Sequence, residues 1–397
     1  MLTRKEIVLL GTFGAIAPLA IDMYLPAMPA LANDLGISAR VAGQSVSVFL
    51  IGIAAGQLIT GPLSDRLGRR PMILSGLGLF TLASLIAALA TAFPVLLAAR
   101  LFQAMGACAV MVSGRAVVRD RLDPRESARL FSLLALIGGM APVLAPMIGA
   151  GIIQFAEWRL IFFVMGAFSL VTLLFAMPVL VESRSAATAE NARSEHPFRS
   201  YLALLGNRQV VGYLATAAFN SAAFFTYVAN SSTVLIGGYG MSPRAFSFIF
   251  AANSIGLVAA NQVNRHLLKT RTPAQVLRGS ARNALLCAAA LLLFAATGIG
   301  GLPMLIALLF IVVASIAPVQ ANTMAGGLGA DPLRSGATAA LFGATTFCAG
   351  AIASWIAGLL YRPDGSGLAI TVAACIIGSA IATFRLIARE PQPQPAT

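Results

Sequence analysis

The sequence predicts an all-α membrane protein with twelve transmembrane helices in two six-helix halves, and three observations predict it. Of 397 residues, 58% are apolar and 10% charged, with a mean hydropathy of +0.85. Soluble domains carry roughly 25% charged residues, so a water-exposed surface is not provided for. Apolar runs of membrane-crossing length recur, centred at about residues 18, 52, 81, 106, 143 and 170, then about 219, 252, 287, 313, 346 and 378. The third observation is charge placement. With both termini on one side, every Lys and Arg falls on that side except Arg40, Arg159, Arg244 and Arg362, which face outward, and Arg100, which lies within a span. Basic loops stay in the cytoplasm, which predicts cytoplasmic termini and, for a bacterial chain, the inner membrane.

The first span, residues 7–30, follows Arg4 and Lys5 and ends at Ala30-Leu31-Ala32, a pattern that superficially mimics a cleavable signal. It is longer than the apolar core of a signal peptide (about 7–15 residues) and contains Asp22 and several prolines, so it reads as a retained helix. Residues 182–207 are polar, with Ser, Ala and charges of both signs. They read as a flexible cytoplasmic linker between an N-terminal bundle, 1–181, and a C-terminal bundle, 208–397. Two halves joined in this way place a substrate site at their interface and make a monomer sufficient.

The net charge of +13 would suggest nucleic acid in a soluble chain. Here it belongs to the inner loops, and no nucleic-acid partner is expected; the partners are the bilayer and a small molecule. Cys108, Cys287, Cys348 and Cys375 fall in apolar runs without metal-ligand spacing and read as packing residues. His196 and His266 lie in charged loops. No nucleophile–base set, metal cluster or nucleotide loop appears, so neither an enzyme, a metal nor a cofactor is expected.

Asp22 carries the functional reading. A carboxylate inside an apolar span costs about 3 kcal/mol even on lenient scales, and is kept where its proton or charge is needed. Arg100 is the basic residue well inside a span. Helix four enters near Pro94, putting Arg100 roughly 9 Å deep, while helix one ends near Ala30, putting Asp22 roughly 12 Å from the same face. At similar depth the two charges are able to pair. Burial and a nearby cation act on a carboxyl in opposite directions, so a modest movement would switch its proton, provided a water-accessible chamber reaches it.

Four strings carry a resemblance. Gly61-Pro62-Leu63-Ser64-Asp65-Arg66-Leu67-Gly68-Arg69-Arg70, between spans two and three, matches the G-x-L-x-D-R-x-G-R-K/R signature of the major facilitator superfamily at every fixed position. Asp65 there is placed to cap a helix or to pair with Arg115 or Arg119. Arg100-Leu101-Phe102-Gln103-Ala104-Met105-Gly106 resembles the superfamily's R-x-x-Q-x-x-G element. In span five, Gly138-Gly139-Met140-Ala141-Pro142-Val143-Leu144-Ala145-Pro146-Met147-Ile148-Gly149-Ala150 resembles the G-P-x-x-G-G element of exporters and antiporters, with Ala145 and Ala150 in place of two glycines. Span one contributes Ala20-Ile21-Asp22-Met23-Tyr24-Leu25-Pro26-Ala27-Met28-Pro29. Together with span five it makes the chain resemble a Bcr/CflA-type drug-resistance exporter along its whole length, more strongly in the first half.

The resemblance implies the major facilitator fold and export of small drug-like molecules in exchange for protons by alternating access. It assigns Asp22 as the proton-linked acid and Arg100 as its electrostatic partner. Some relatives carry a second acid about two turns earlier, where this chain has Gly14, leaving Asp22 to couple alone. A conformational latch is implied for Gly61, Asp65, Arg66, Gly68, Arg69 and Arg70, with Arg119 and the bend at Pro142 and Pro146. Helical faces suggest a largely apolar cavity lined by Pro18, Asp22, Gln103, Ala107 and Gly138 from the first half, with Asn220, Phe224 and Tyr227 on span seven and Phe248 and Asn253 on span eight. Two alternatives stay open: export of a metabolite such as a nucleoside, and an uncoupled facilitator or importer.

Overall fold

The computed structural model describes residues 2–185, 188, 190 and 197–387. Twelve long helices follow in order: α1 (Arg4–Asp22), α2 (Gln44–Leu67), α3 (Arg69–Ala88), α4 (Phe93–Arg121), α5 (Pro124–Phe155), α6 (Arg159–Val179), α7 (Arg208–Ser232), α8 (Pro243–Leu267), α9 (Pro273–Thr297), α10 (Gly301–Ala330), α11 (Ser335–Leu359) and α12 (Ser366–Leu386). All but α7 belong to segments long and apolar enough to cross a membrane. The 25-residue α7 owes its lower hydropathy to residues such as Asn220, Ser221, Thr226 and Asn230, which it buries against its neighbours. Among the described residues there is no strand, in keeping with the rule that backbone in lipid must satisfy its own hydrogen bonds.

Helix starts follow local chemistry. Thr3 and Glu6 form a capping box that opens α1, and Thr272 and Gln275 form another that opens α9. The Asp123 side chain accepts from the amides of Arg125 and Glu126 ahead of α5, and Asn207 does the same ahead of α7. Each cap contributes about 1 kcal/mol by satisfying amides that have no partner within the helix.

The first apolar stretch departs from the single helix expected over 7–30. α1 stops at Asp22, a 3₁₀ turn spans Leu25–Ala27, and a short helix spans Met28–Asp34. Pro26 and Pro29 explain the break. Each lacks an amide hydrogen, which suits the first turn of a new piece but not the interior of an old one.

In the first half α4 packs on α2 and α3, α3 on α6, and α1 on α4, α5 and α6; in the second, α7 packs on α10, α11 and α12, and α9 on α10 and α12. The halves meet along α2–α11 and α5–α8. At the end away from the Gly61–Arg70 turn, where α2 passes into α3 at Gly68, they are stitched by hydroxyls. Ser47 Oγ lies 2.7 Å from Ser354 Oγ, Ser232 Oγ donates to the Leu25 carbonyl at 2.5 Å, and Ser247 Oγ donates to the Pro146 carbonyl at 2.9 Å. Toward the loop end they part around a cavity of about 510 Å³ lined by both halves and by Ser200 and Tyr201 of the helix Pro197–Gly206. The molecule is closed at one end and open at the other.

Candidate transport site

Asp22 occupies the last position of α1, and the Met23 amide closes the helix on the Leu19 carbonyl. The carboxylate is 6% exposed. Among the described residues it makes no ion pair and no side-chain hydrogen bond, although it acts electrostatically on the phenols of Tyr24 and Tyr227. Tyr227 is held by Asn253, whose Nδ2 donates to its hydroxyl at 2.5 Å, and by Phe250, whose ring stacks 5.7 Å away. The Tyr24 hydroxyl lies 3.0 Å from Ser45 Oγ. Since Ser45 Oγ gives its own proton to the Ala42 carbonyl, Tyr24 is the donor in that contact.

Arg100 does not pair with Asp22, contrary to expectation. It is fully buried inside an aromatic box, its guanidinium carbon 4.3 Å from the Phe49 ring centre, 4.5 Å from Tyr24 and 5.8 Å from Phe162. Nη1 donates to Gln103 Oε1 at 2.5 Å, while among the described residues Nε and Nη2 have no hydrogen-bond partner. Gln103 passes the contact on through Nε2 to Ser84 at 2.8 Å. Three ring faces, each contributing up to about 2 kcal/mol to a desolvated cation, stand in for the missing carboxylate. Helical depth was an incomplete guide here because it fixes height in the bundle but not the direction in which a side chain turns.

The Gly61–Arg70 loop is tied differently from the pairing expected for Asp65. Its partner is Arg69, at 2.5 Å, and Arg69 also reaches Asp120 at 2.9 Å; neither Arg115 nor Arg119 pairs with it. From the residues just beyond α6, Glu182 accepts the amides of Arg69 at 2.9 Å and Arg70 at 3.1 Å. Arg70 donates to the Met177 carbonyl at 3.0 Å, and Arg184 donates to the carbonyls of Asp65 and Arg66. Gly68 has a φ of 112° and its missing side chain leaves room for the Glu182 carboxylate, two reasons that only glycine fits. Burial works to raise the Glu182 carboxyl, but the amides of Arg184, Arg69, Arg70 and Ser183 outweigh it and hold the group below the usual 4.5. The start of the predicted linker is therefore a strap on the loop, and residues 197–206 are helical; the linker between them lies largely outside the described residues.

Two cavities open toward the loop end. The larger includes Gln57, Gly61, Asp65, Arg69, Arg115 and Arg119 in its wall. The smaller, about 290 Å³, lies between α1, α4 and α5, and shares Arg115 and Phe131 with it. Of the residues expected to line the cavity, Gly138 lines the smaller one. Pro18, Asp22, Gln103, Ala107, Asn220, Phe224, Tyr227, Phe248 and Asn253 line neither. Several of these are engaged within their own half instead. Asn220 donates to the Ile316 carbonyl at 3.1 Å, Phe224 lies against Phe225, and Tyr227 and Asn253 satisfy each other. Phe248 is 53% exposed, outside the seam. At 100° per residue the buried stripe of α8 runs through Phe246, Phe250 and Asn253, and residue 248 lies on the other side.

Sequence reasoning missed Arg115 as a cavity residue and gave Gly149 no role. Arg115 and Arg119 stand four apart on α4, the spacing of one helical face, which was the available signal. At Gly149, α5 crosses so near the end of α1 that a side chain there would overlap the Met23 carbonyl. Pro146, one turn earlier, gives its carbonyl to Ser247, so the region of the expected bend supports both the α1 contact and the seam.

A helical protein with two packed halves, a cleft between them and a charged loop clamping one end is built as a membrane transporter. The chain belongs to the Major Facilitator Superfamily, whose family model matches residues 10–353. It is 33% identical to a Bacillus subtilis protein named as an MFS-type transporter, over 94% of this chain and 92% of that one. It is 29% identical to the Haemophilus influenzae bicyclomycin resistance protein homolog, over 97% and 96%. A crystal structure of a D-xylose–proton symporter shares the fold, with a TM-score of 0.73 at 16% identity, covering 96% of this chain and 98% of the symporter. The resemblance to Bcr/CflA-type exporters read from the motifs agrees with the bicyclomycin-resistance relative.

Proposed function

We propose that the protein exports small drug-like molecules across the bacterial inner membrane in exchange for protons, by alternating access. Both termini are cytoplasmic in this reading, so the open end faces the cytoplasm and the serine seam faces the periplasm. The observation that carries it is Asp22: a buried carboxylate without an ion-pair partner among the described residues, one turn from the Ser232–Leu25 contact that seals the seam. The bicyclomycin-resistance relative supports a drug as cargo.

In the seam-closed state Asp22 is shut away from both cavities. When the seam parts, the carboxyl gains access to periplasmic water and takes a proton. When it closes again a cytoplasmic solute enters the open end, and the proton leaves inward once the halves part beyond the arrangement seen here and uncover Asp22 to the cytoplasmic side. Arg100 acts on this cycle through the Tyr24 ring that it shares with the surroundings of Asp22, as a positioning residue and not a direct counter-ion.

The test is transport into inverted vesicles with an imposed pH gradient, acidic inside, using ethidium as a fluorescent probe. Wild type concentrates the probe, and Asp22→Asn abolishes the gradient-driven component while downhill equilibration remains. Full gradient-driven accumulation by Asp22→Asn would exclude this mechanism. A wild type that only equilibrates the probe would mark an uncoupled facilitator.

A further inference from the structure

The wall of the larger cavity is unevenly charged. It holds Arg69, Arg115, Arg119 and Arg334 against one acid, Asp65. Arg69 is neutralised by Asp65 and Asp120, and Arg334 by Asp331 at 2.9 Å. Among the described residues, no carboxylate lies within ion-pair distance of Arg115 or Arg119, and both are exposed to the opening. They are four residues apart on α4, so two like charges share one helix face, an arrangement that is unfavourable until an anion joins it.

The second observation is what lies beside them. Arg115 belongs to the wall of both cavities. The smaller one is otherwise apolar, walled by Leu10, Phe13, Met111, Phe131 and Leu134 together with glycines. A charged mouth that leads into an apolar annex of about 290 Å³ matches a molecule with a charged end and a hydrophobic body.

We propose that this site takes an amphipathic organic anion as cargo, its carboxylate or phosphate held by Arg115 and Arg119 and its apolar body in the annex between α1, α4 and α5. This deepens the transport reading and rests on it, by naming the chemical class of one set of solutes. Arg119, which the motif assigned to the conformational latch, becomes a recognition residue. Guanidinium pairs suit carboxylate and phosphate because their planar forks give two donors to two oxygens.

The experiment uses the full chain in phosphatidylcholine nanodiscs and two probes of nearly equal shape, 1-naphthylacetate and 2-(1-naphthyl)ethanol, titrated calorimetrically. Wild type is expected to bind the carboxylate about tenfold or more tightly than the alcohol, a preference that weakens with salt. R115Q/R119Q is expected to bind both equally, while R115K/R119K, which keeps the charge, retains a reduced preference and serves as the folding control. Equal binding of the two probes by wild type, no binding of the carboxylate, or an unchanged preference in R115Q/R119Q would each overturn the proposal. So would loss of carboxylate binding when a quarter of the lipid is phosphatidylglycerol, which would give the arginines to a lipid headgroup. None of these outcomes bears on the Asp22→Asn vesicle result, so the two readings fail separately.

Discussion

Gly149 and Asp22 lie on different helices, yet the first sets the surroundings of the second. A Cβ at 149 would overlap the carbonyl of Met23, the residue after Asp22, and backbone cannot swing aside as a side chain can. Overpacking of this kind costs about 1–3 kcal/mol. Gly149→Ala is therefore expected to lower the melting temperature in detergent by a few degrees and to slow proton-driven export about tenfold. Gly151→Ala, at a position open to space, should leave both unchanged. Equal behaviour of the two variants would show that the α1–α5 contact is slack. At this same scale the sequence was a good guide to which residues are unusual and a poor one to their partners. Asp22 and Arg100 stood out because charge is costly in lipid. That Arg100 turns into Phe49, Tyr24 and Phe162 was not legible, because cation–π geometry depends on rings from three other segments.

Elements were more legible than contacts. The twelve long helices follow from hydropathy, which needs only neighbouring residues; the capped helix starts are equally local, but sequence reasoning did not pick them out. The break of the first span was missed by sequence reasoning, which reads 7–30 as one helix, although Pro26 and Pro29, two residues without amide hydrogens, were the available signal. The role of Glu182 was hidden, since its bonds to Arg69 and Arg70 join residues more than a hundred positions apart. Its carboxyl is held below the ordinary value, so its contribution is present above the unfolded glutamate range and is lost as pH falls through the lower folded value. Glu182→Gln should thus melt below wild type at neutral pH, and the difference should shrink as pH drops below about 4. A constant difference across that range would mean that the carboxylate charge is not what fastens the loop.

The whole molecule differs at its two ends, and that asymmetry makes alternating access testable without knowing the cargo. At one end Ser47 and Ser354, from opposite halves, touch through their hydroxyls at 2.7 Å; at the other, the halves are separated by the larger cavity. Oxygens this close place the two β-carbons within reach of a disulfide, whose β-carbons stand about 3.8 Å apart. If export requires the seam to part, S47C/S354C in a background with Cys108, Cys287, Cys348 and Cys375 replaced should lose at least about tenfold of its transport on oxidation. Dithiothreitol should restore it, and each single cysteine should be insensitive. Cross-linking that is complete by gel shift with transport intact would mean the seam never opens, and Asp22 would then have no route to the periplasm. The same locked protein separates binding from movement. Its cavities open toward the unlocked end, so naphthylacetate should still bind to it with wild-type affinity even though nothing crosses.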